Sequence, residues 1–276
     1  PAPGLVEHDA AEIWELTLAC ARQMVAKAGG ADKIAAIGIT NQRETIVFWD
    51  KRTGAPLAPA IVWQDRRTAD ICAALKDDGH EPVVQAKTGL LLDPYFSGSK
   101  IGWALKNWPQ LKDAGEHLAV GTIESYLVFR LTGGLHVSDA TNASRTALMA
   151  IGSSGWDDGL TDLFGVPRDI LPEIVDCAGP IGSTLPDLFG GPIPICGMAG
   201  DQQAATIGQG CFTIGQTKKL KVLFDFINKF GYPNPIKPCS SLSATCGINP
   251  TMRIFFSKCD DCGNYCRQNF FAIAVV

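Results

Sequence analysis

The sequence predicts an α/β fold, and three observations predict it. Short apolar, partly β-branched runs alternate with segments of helical period. Capping residues and glycines punctuate both kinds of segment. Near residue 200 a short strand, a glycine-rich stretch and a helix opening on an acid follow one another. Of the 276 residues, 46% are hydrophobic and 19% charged, which supplies a core and argues against global disorder. At about 150 residues per domain, that length is one large domain or two small ones. Apolar runs such as Phe270–Val276 are far shorter than the roughly 20 residues of a spanning helix, against a membrane protein. A formal net charge of −4 and a pI of about 5.6 argue against a basic nucleic-acid-binding surface.

Taken in order, Asp9-Ala-Ala-Glu12 has the form of a capping box. Ile13, Trp14, Leu16, Leu18, Ala21, Met24 and Val25 follow it at helical spacing, and Gly29-Gly30 stop the helix. Ile34–Ile39 and Thr45–Trp49 read as strands, with Asn41–Glu44 as the polar tip of a hairpin. Ile61-Val62-Trp63 is another short strand, and a helix follows from about Arg67 to Lys76. Asp93–Lys100 reads as a loop before a helix at Ile101–Leu105. Gly121–Leu131 reads as a strand end passing into a helix, closed by Thr132-Gly133-Gly134. Ile193–Cys196 is an edge strand or a strand start, because it contains a proline. Gly197-Met198-Ala199-Gly200 then makes a sharp turn, and Asp201–Ile207 opens a helix.

Composition changes near residue 218. Residues 1–218 carry a charge of −8 and the remainder +4, with no Glu beyond Lys218. Of the ten cysteines, Cys20, Cys72, Cys177, Cys196 and Cys211 are scattered, as buried small hydrophobes in a reducing compartment would be. The other five, Cys239, Cys246, Cys259, Cys262 and Cys266, cluster in a stretch broken by Pro233, Pro235 and Pro238. Their spacing is near that of an irregular zinc site, but no histidine accompanies them, and metal binding is the lesser reading. His8, His80, His117 and His136 form no cluster and read as surface or loop residues.

Several polar strings stand out, each with a plain alternative. Asn41-Gln42-Arg43-Glu44-Thr45 is either a solvated turn or a hydroxyl-binding loop, in which a multi-donor Arg beside a two-oxygen Glu grips neighbouring hydroxyls of a polyol. Trp63 is either a core residue at a strand end or an apolar wall for a carbon skeleton. Tyr95 lies in a Pro–Gly loop and carries a hydroxyl suited to a substrate oxygen. Asp201 is either a helix cap or a catalytic base. Gly197 and Gly200 beside it would let backbone approach a ligand, although no Gly-Lys-Ser/Thr follows as in a true P-loop.

Together these strings resemble the glycerol-kinase branch of the FGGY carbohydrate-kinase family. The resemblance rests on Ala35–Thr45, Ile61–Arg67, Asp93–Lys100, Asp139–Thr146 and Gly197–Ala204, and on the opening Pro3–Asp9; it covers about residues 1–218. It implies a ribonuclease-H-like, actin-like ATPase fold, here the N-terminal domain without its first strands. It also implies ATP-dependent phosphorylation of glycerol to sn-glycerol 3-phosphate with Mg²⁺, in the cytoplasm, and leaves a homo-oligomer open. Carried over position by position, Arg43, Glu44, Tyr95 and Gln202 would hold the glycerol hydroxyls, Trp63 would pack on its carbons, and Asp201 would be the general base. No residue of this chain is assigned to a metal, and the ATP-contacting turns of the family find no counterpart in it. The expectation is therefore a domain at 1–218, a tail at 219–276 from a shifted frame or mis-joined segment, and little kinase activity from the chain alone. The alternatives are a non-catalytic polyol-binding or interaction protein with a metal-binding tail, and another FGGY sugar kinase.

Overall fold

The computed structural model describes residues 2–153 and 155–211, together with the backbone of the strand Phe271–Val275. The readings made for Leu220–Phe230 and for the five clustered cysteines fall outside the described residues.

The chain begins with β1 (Glu7–His8) and α1 (Ala10–Ala28), then β2 (Ile37–Asn41), β3 (Ile46–Asp50) and β4 (Ala60–Ile61). Helices α2 (Ala69–Asp77), α3 (Glu81–Thr88), α4 (Ser97–Asn107) and α5 (Pro109–Asp113) follow. Next come β5 (Leu118–Thr122), α6 (Ile123–Thr132), β6 (Val137–Asp139), α7 (Ala140–Ala143), α8 (Asp158–Phe164), β7 (Glu173–Val175) and β8 (Ala178–Ser183). The last elements are α9 (Pro186–Phe189), β9 (Pro194–Gly200), α10 (Asp201–Gly208) and β10 (Phe271–Val275).

Local chemistry explains α1 at both ends. The Asp9 carboxylate accepts from the Ala11 amide at 2.8 Å and, less closely, from Glu12 at 3.4 Å. Gly29 ends the helix at φ +95°, a left-handed conformation that costs a residue without Cβ nothing, and its amide closes on the last turn. Ile13, Thr17, Ala21 and Val25, four apart, form its buried stripe.

The strands form three sheets. One is ordered β1-β4-β3-β5, a second β10-β2-β9-β8, and β6 pairs with β7. In the second sheet β2 and β9 run parallel, with Asn41 opposite Gly200 at their carboxyl ends, while β10 and β8 run antiparallel on either side. All five residues of β3 are buried, because both faces of its sheet are covered. Val47 and Trp49 enter one core with α1, α6 and β9; Ile46 and Phe48 enter the other, with α4 and α8. On the α4 side the approach is close at Gly102, where a Cβ would overlap the Phe164 carbonyl oxygen of α8.

Four sequence expectations are corrected. First, β2 and β3 are not a hairpin: they belong to different sheets, and Asn41–Glu44 crosses between them. Asn41, Gln42 and Glu44 are accordingly buried, not the exposed residues of a turn. Second, Gly197–Gly200 is not a turn but the second half of β9, which lies between β2 and β8 rather than at an edge. Third, Ser97–Lys100 is the first turn of α4, not part of a loop. Fourth, His8 is not in a loop but half-buried in β1, where burial lowers its pKa, whereas His136 does lie in a loop, half-buried between α6 and β6. The His136 ring packs edge-on against Trp49 at 5.0 Å, its Nε2 lies 3.1 Å from the Val120 carbonyl, and burial lowers its pKa to about 4.

Candidate functional site

The carboxyl ends of adjacent parallel strands are where open α/β sheets present ligands with backbone ends and loop side chains. Here the ends of β2 and β9 meet in register. The chain leaves β2 through Gln42-Arg43-Glu44 and leaves β9 directly into α10, whose first residue is Asp201. The Arg43 Nε consequently lies 3.6 Å from the Asp201 carboxylate. A Cβ on Gly200 would sit 2.7 Å from Arg43 Cγ and closer still to Cδ. The glycine is thus required by the arginine side chain that crosses it, since its own φ of −59° is one any residue adopts.

Glu44 is held at both its carbonyl and its carboxylate. It adopts φ +66°, which is strained for a residue with a side chain. Ser97 Oγ, from the start of α4, donates to its carbonyl at 3.1 Å. Its carboxylate accepts from Arg145 Nε at 2.6 Å, and burial outweighs that guanidinium in raising its pKa. Arg145 in turn lies over the rings of Tyr95 and Phe96, at 5.5 and 4.9 Å. Tyr95 meets Trp63 edge to face at 5.4 Å, and the Trp63 indole donates to Gln42 Oε1 at 3.1 Å.

The structure therefore brings Arg43, Glu44, Trp63, Tyr95 and Asp201 into one connected set of contacts around the polar crossing. Gln202 is the neighbour of Asp201, its amide donating to the Asp201 carboxylate at 2.8 Å. Trp63 and Tyr95 are half-buried, and the Asp201 side chain keeps 32% of its surface exposed. Gln42 Nε2, Arg43 Nε and Gln203 Oε1 are buried and have no hydrogen-bond partner among the described residues. Two donors and an acceptor in that condition suit a ligand rich in hydroxyls, which both donate and accept.

Sequence reasoning missed Arg145 and Lys100 as members of this set. Arg145 follows Asn142-Ala143-Ser144, and nothing local announces its partner, 101 residues away. Lys100 is fully buried at the end of the first turn of α4, where a sequence reader expects a solvated lysine.

Beneath the crossing lies a layer of buried polar groups. Glu124 accepts from Asn41 Nδ2 at 2.7 Å, from Ser138 Oγ at 2.6 Å and from the Thr122 hydroxyl. Asp139 accepts from Asn142 Nδ2 at 2.6 Å and from the Thr141 hydroxyl. That hydroxyl accepts the Gly200 amide at 2.8 Å, so the layer holds the residue immediately before Asp201. Burial, with the neighbouring Asp139 charge adding to it, raises the Glu124 pKa to about 7, against the three donors that favour its charged form. Glu124 therefore stabilises the fold fully below its ordinary pKa of 4.5, and that contribution is lost as pH rises through about 7. Denaturation of the unsubstituted chain and of Glu124→Gln at pH 5 and pH 8 checks this. The unsubstituted chain should lose about 3 kcal/mol more than the variant over that interval.

For a divalent cation the described residues offer a poor seat. No group of three His, Cys, Asp or Glu that could hold a metal occurs among them, and Asp201 stands beside the Arg43 guanidinium. Mg²⁺ ordinarily relies on one or two carboxylates plus substrate phosphates. These residues do not by themselves fit the Mg²⁺ that the sequence resemblance implies. No helix among the described residues is long and apolar enough to cross a membrane.

The N-terminal domain of the FGGY family of carbohydrate kinases matches residues 1–208. The glycerol kinase of Methylobacterium nodulans is 59% identical over 223 residues, 79% of this chain and 44% of that protein. The glycerol kinase of Rhodospirillum rubrum is 57% identical, over 79% of this chain and 45% of that protein. Among solved structures, Plasmodium falciparum glycerol kinase with ADP superposes with a TM-score of 0.71 at 38% identity, over 77% of this chain and 44% of that one. Xylulose kinase from Rhodospirillum rubrum does so with a TM-score of 0.69 at 25% identity, over 78% of this chain and 44% of that one. The chain spans a little under half the length of the curated relatives it matches.

Proposed function

The chain belongs to the FGGY family of carbohydrate kinases, through that family's N-terminal domain, and from this premise we propose that it binds glycerol as the acceptor of a phosphoryl group. ATP is the donor in this reading, supplying the γ-phosphoryl group and leaving as ADP. The observation that carries the proposal is the juxtaposition of Arg43 and Glu44 with Asp201, joined to an aromatic wall of Trp63 and Tyr95. Glycerol is small and uncharged, so hydrogen bonds have to supply most of its selectivity. Arg43 donates to hydroxyl oxygens, and Glu44, steadied by Arg145, accepts from hydroxyl protons. Gln202 and the Tyr95 hydroxyl serve the remaining positions, and Trp63 faces the carbon skeleton. Asp201, partly exposed beside Arg43, accepts the proton of the attacking hydroxyl as its oxygen bonds to phosphorus. Phosphoryl transfer is mostly positioning and charge neutralisation, so a single well-placed carboxylate is sufficient protein chemistry on the acceptor side.

Calorimetric titration of the purified chain tests the acceptor site without needing turnover. Glycerol should bind, and Arg43→Ala should weaken that binding about 10- to 100-fold, the loss of one hydrogen bond from a charged donor. Glycerol binding unaffected by Arg43→Ala, or xylulose binding more tightly than glycerol, would contradict the reading.

A further inference from the structure

Lys100 is among the largest fully buried side chains of the described core, with 0% of its surface exposed. Lysine is almost never buried to that extent unless paired. It donates hydrogen bonds to two main-chain carbonyls, those of Tyr95 at 2.9 Å and Val62 at 3.4 Å. Glu44 and Asp65 attract it through space, Asp93 does so more weakly, and Arg67 repels it. Burial dominates and lowers its pKa to about 8. A buried ammonium on such terms is expensive to keep, and an apolar residue of equal length would fill the same space.

What the ammonium joins explains its presence. Val62 is the residue before Trp63, and Tyr95 is the other half of the aromatic pair. The two segments come from different parts of the fold, one leaving β4 and one entering α4. We propose that Lys100 is a positioning residue of the polyol site, tying the main chain that carries Trp63 to the main chain that carries Tyr95 and so setting the aromatic wall. Lys100 acts through the backbone of both aromatics, and this role rests on the acceptor site argued above.

The test uses the chain labelled with 5-fluorotryptophan, its Trp63 fluorine line assigned by Trp63→Phe, with the Trp14 and Trp49 lines reporting on the core around α1. In Lys100→Met the Trp63 line should move while those of Trp14 and Trp49 stay, and the glycerol dissociation constant should rise about tenfold. A Trp63 line that does not move overturns the tie, and a moved line with unchanged glycerol affinity overturns the role in the site. If the unsubstituted chain does not bind glycerol, the acceptor reading fails, and the Trp63 line alone judges the tie. If Lys100→Met does not fold, seen as collapse of the Trp14 and Trp49 lines, a pH titration with Lys100 in place decides. Glu124, whose pKa burial raises to about 7, reaches Trp63 through Asn41 and Gln42, so the titration is run in Glu124→Gln; the carboxylates and the guanidinium facing Lys100 ordinarily titrate outside pH 7–9. The Trp63 line should therefore move with a midpoint near pH 8, and a flat line across that range overturns the proposal.

Discussion

Asp201→Asn should lower the turnover number for glycerol phosphorylation by about 100- to 10,000-fold, the range for loss of a positioned general base. The measurement suits a chimera in which residues 1–208 of this chain replace the matching segment of the Methylobacterium nodulans glycerol kinase. The substitution is nearly isosteric, so it isolates charge and basicity. An amide cannot take the hydroxyl proton, but it can still occupy the space beside Arg43, 3.6 Å away in the unsubstituted chain. Glycerol binding should accordingly stay within a few-fold, because Arg43 and Glu44 remain. A loss confined to kcat is the signature of an interaction needed in the transition state. Turnover within tenfold of the unsubstituted chimera would remove Asp201 from the role of base. An unchanged kcat with a large rise in KM would make it a binding residue.

The second large effect is expected at Gly200. Gly200→Ala should cost glycerol affinity about 10- to 100-fold while leaving the fold in place. The backbone there, at φ −59° and ψ 152°, suits alanine, and the Gly200 amide keeps its bond to Thr141. The main conflict is with the Arg43 side chain, which must leave its path across the glycine; Gln203 Oε1, at 3.1 Å, has only to give by a few tenths of an ångström. Gly197→Ala is the control. Its Cβ would meet Gly38 Cα at 3.8 Å, an ordinary contact, and binding should not change. The double variant Gly200→Ala with Arg43→Ala should bind within a few-fold of Arg43→Ala alone, since the added methyl then meets only Gln203 Oε1, at the end of a flexible side chain. Equal losses from Gly197→Ala and Gly200→Ala would mean that the strand as a whole, not the arginine, is disturbed.

Much of this arrangement was legible in the sequence where the cause is local. The Asp9 cap and Gly29 stop bound α1 because both act within one turn. Asp201 at a helix start is visible in the same way. The crossing at Asn41–Glu44 was not, because periodicity reports burial and not partners. A strand buried on both faces, such as β3, looks the same whether its neighbour in sequence is its neighbour in the sheet or not. Gly197–Gly200 misled for a related reason: two glycines in four residues signal a turn, whereas here β9 stays extended between two partners. Family resemblance supplied Arg43, Glu44, Trp63, Tyr95, Asp201 and Gln202 as candidates. Arg145 and Lys100 were inside the resembling strings but carried no chemistry until the fold set them against Glu44 and Tyr95.

The pairing of Asn41 with Gly200 also has a consequence for the order of events during synthesis. The two residues lie about 160 positions apart, and chains emerge at about 5–20 residues per second, so roughly 10–30 s separate their appearance. Throughout that interval the Arg43–Glu44 segment exists without the strand it must abut, with polar groups destined for burial still in water. Its contacts with Asp201 thus join late, after much of the rest has condensed, and only the pairing of β10 with β2 has to wait longer. Substitutions at this junction should then hasten unfolding far more than they slow folding, because a late contact is absent from the transition state that precedes it.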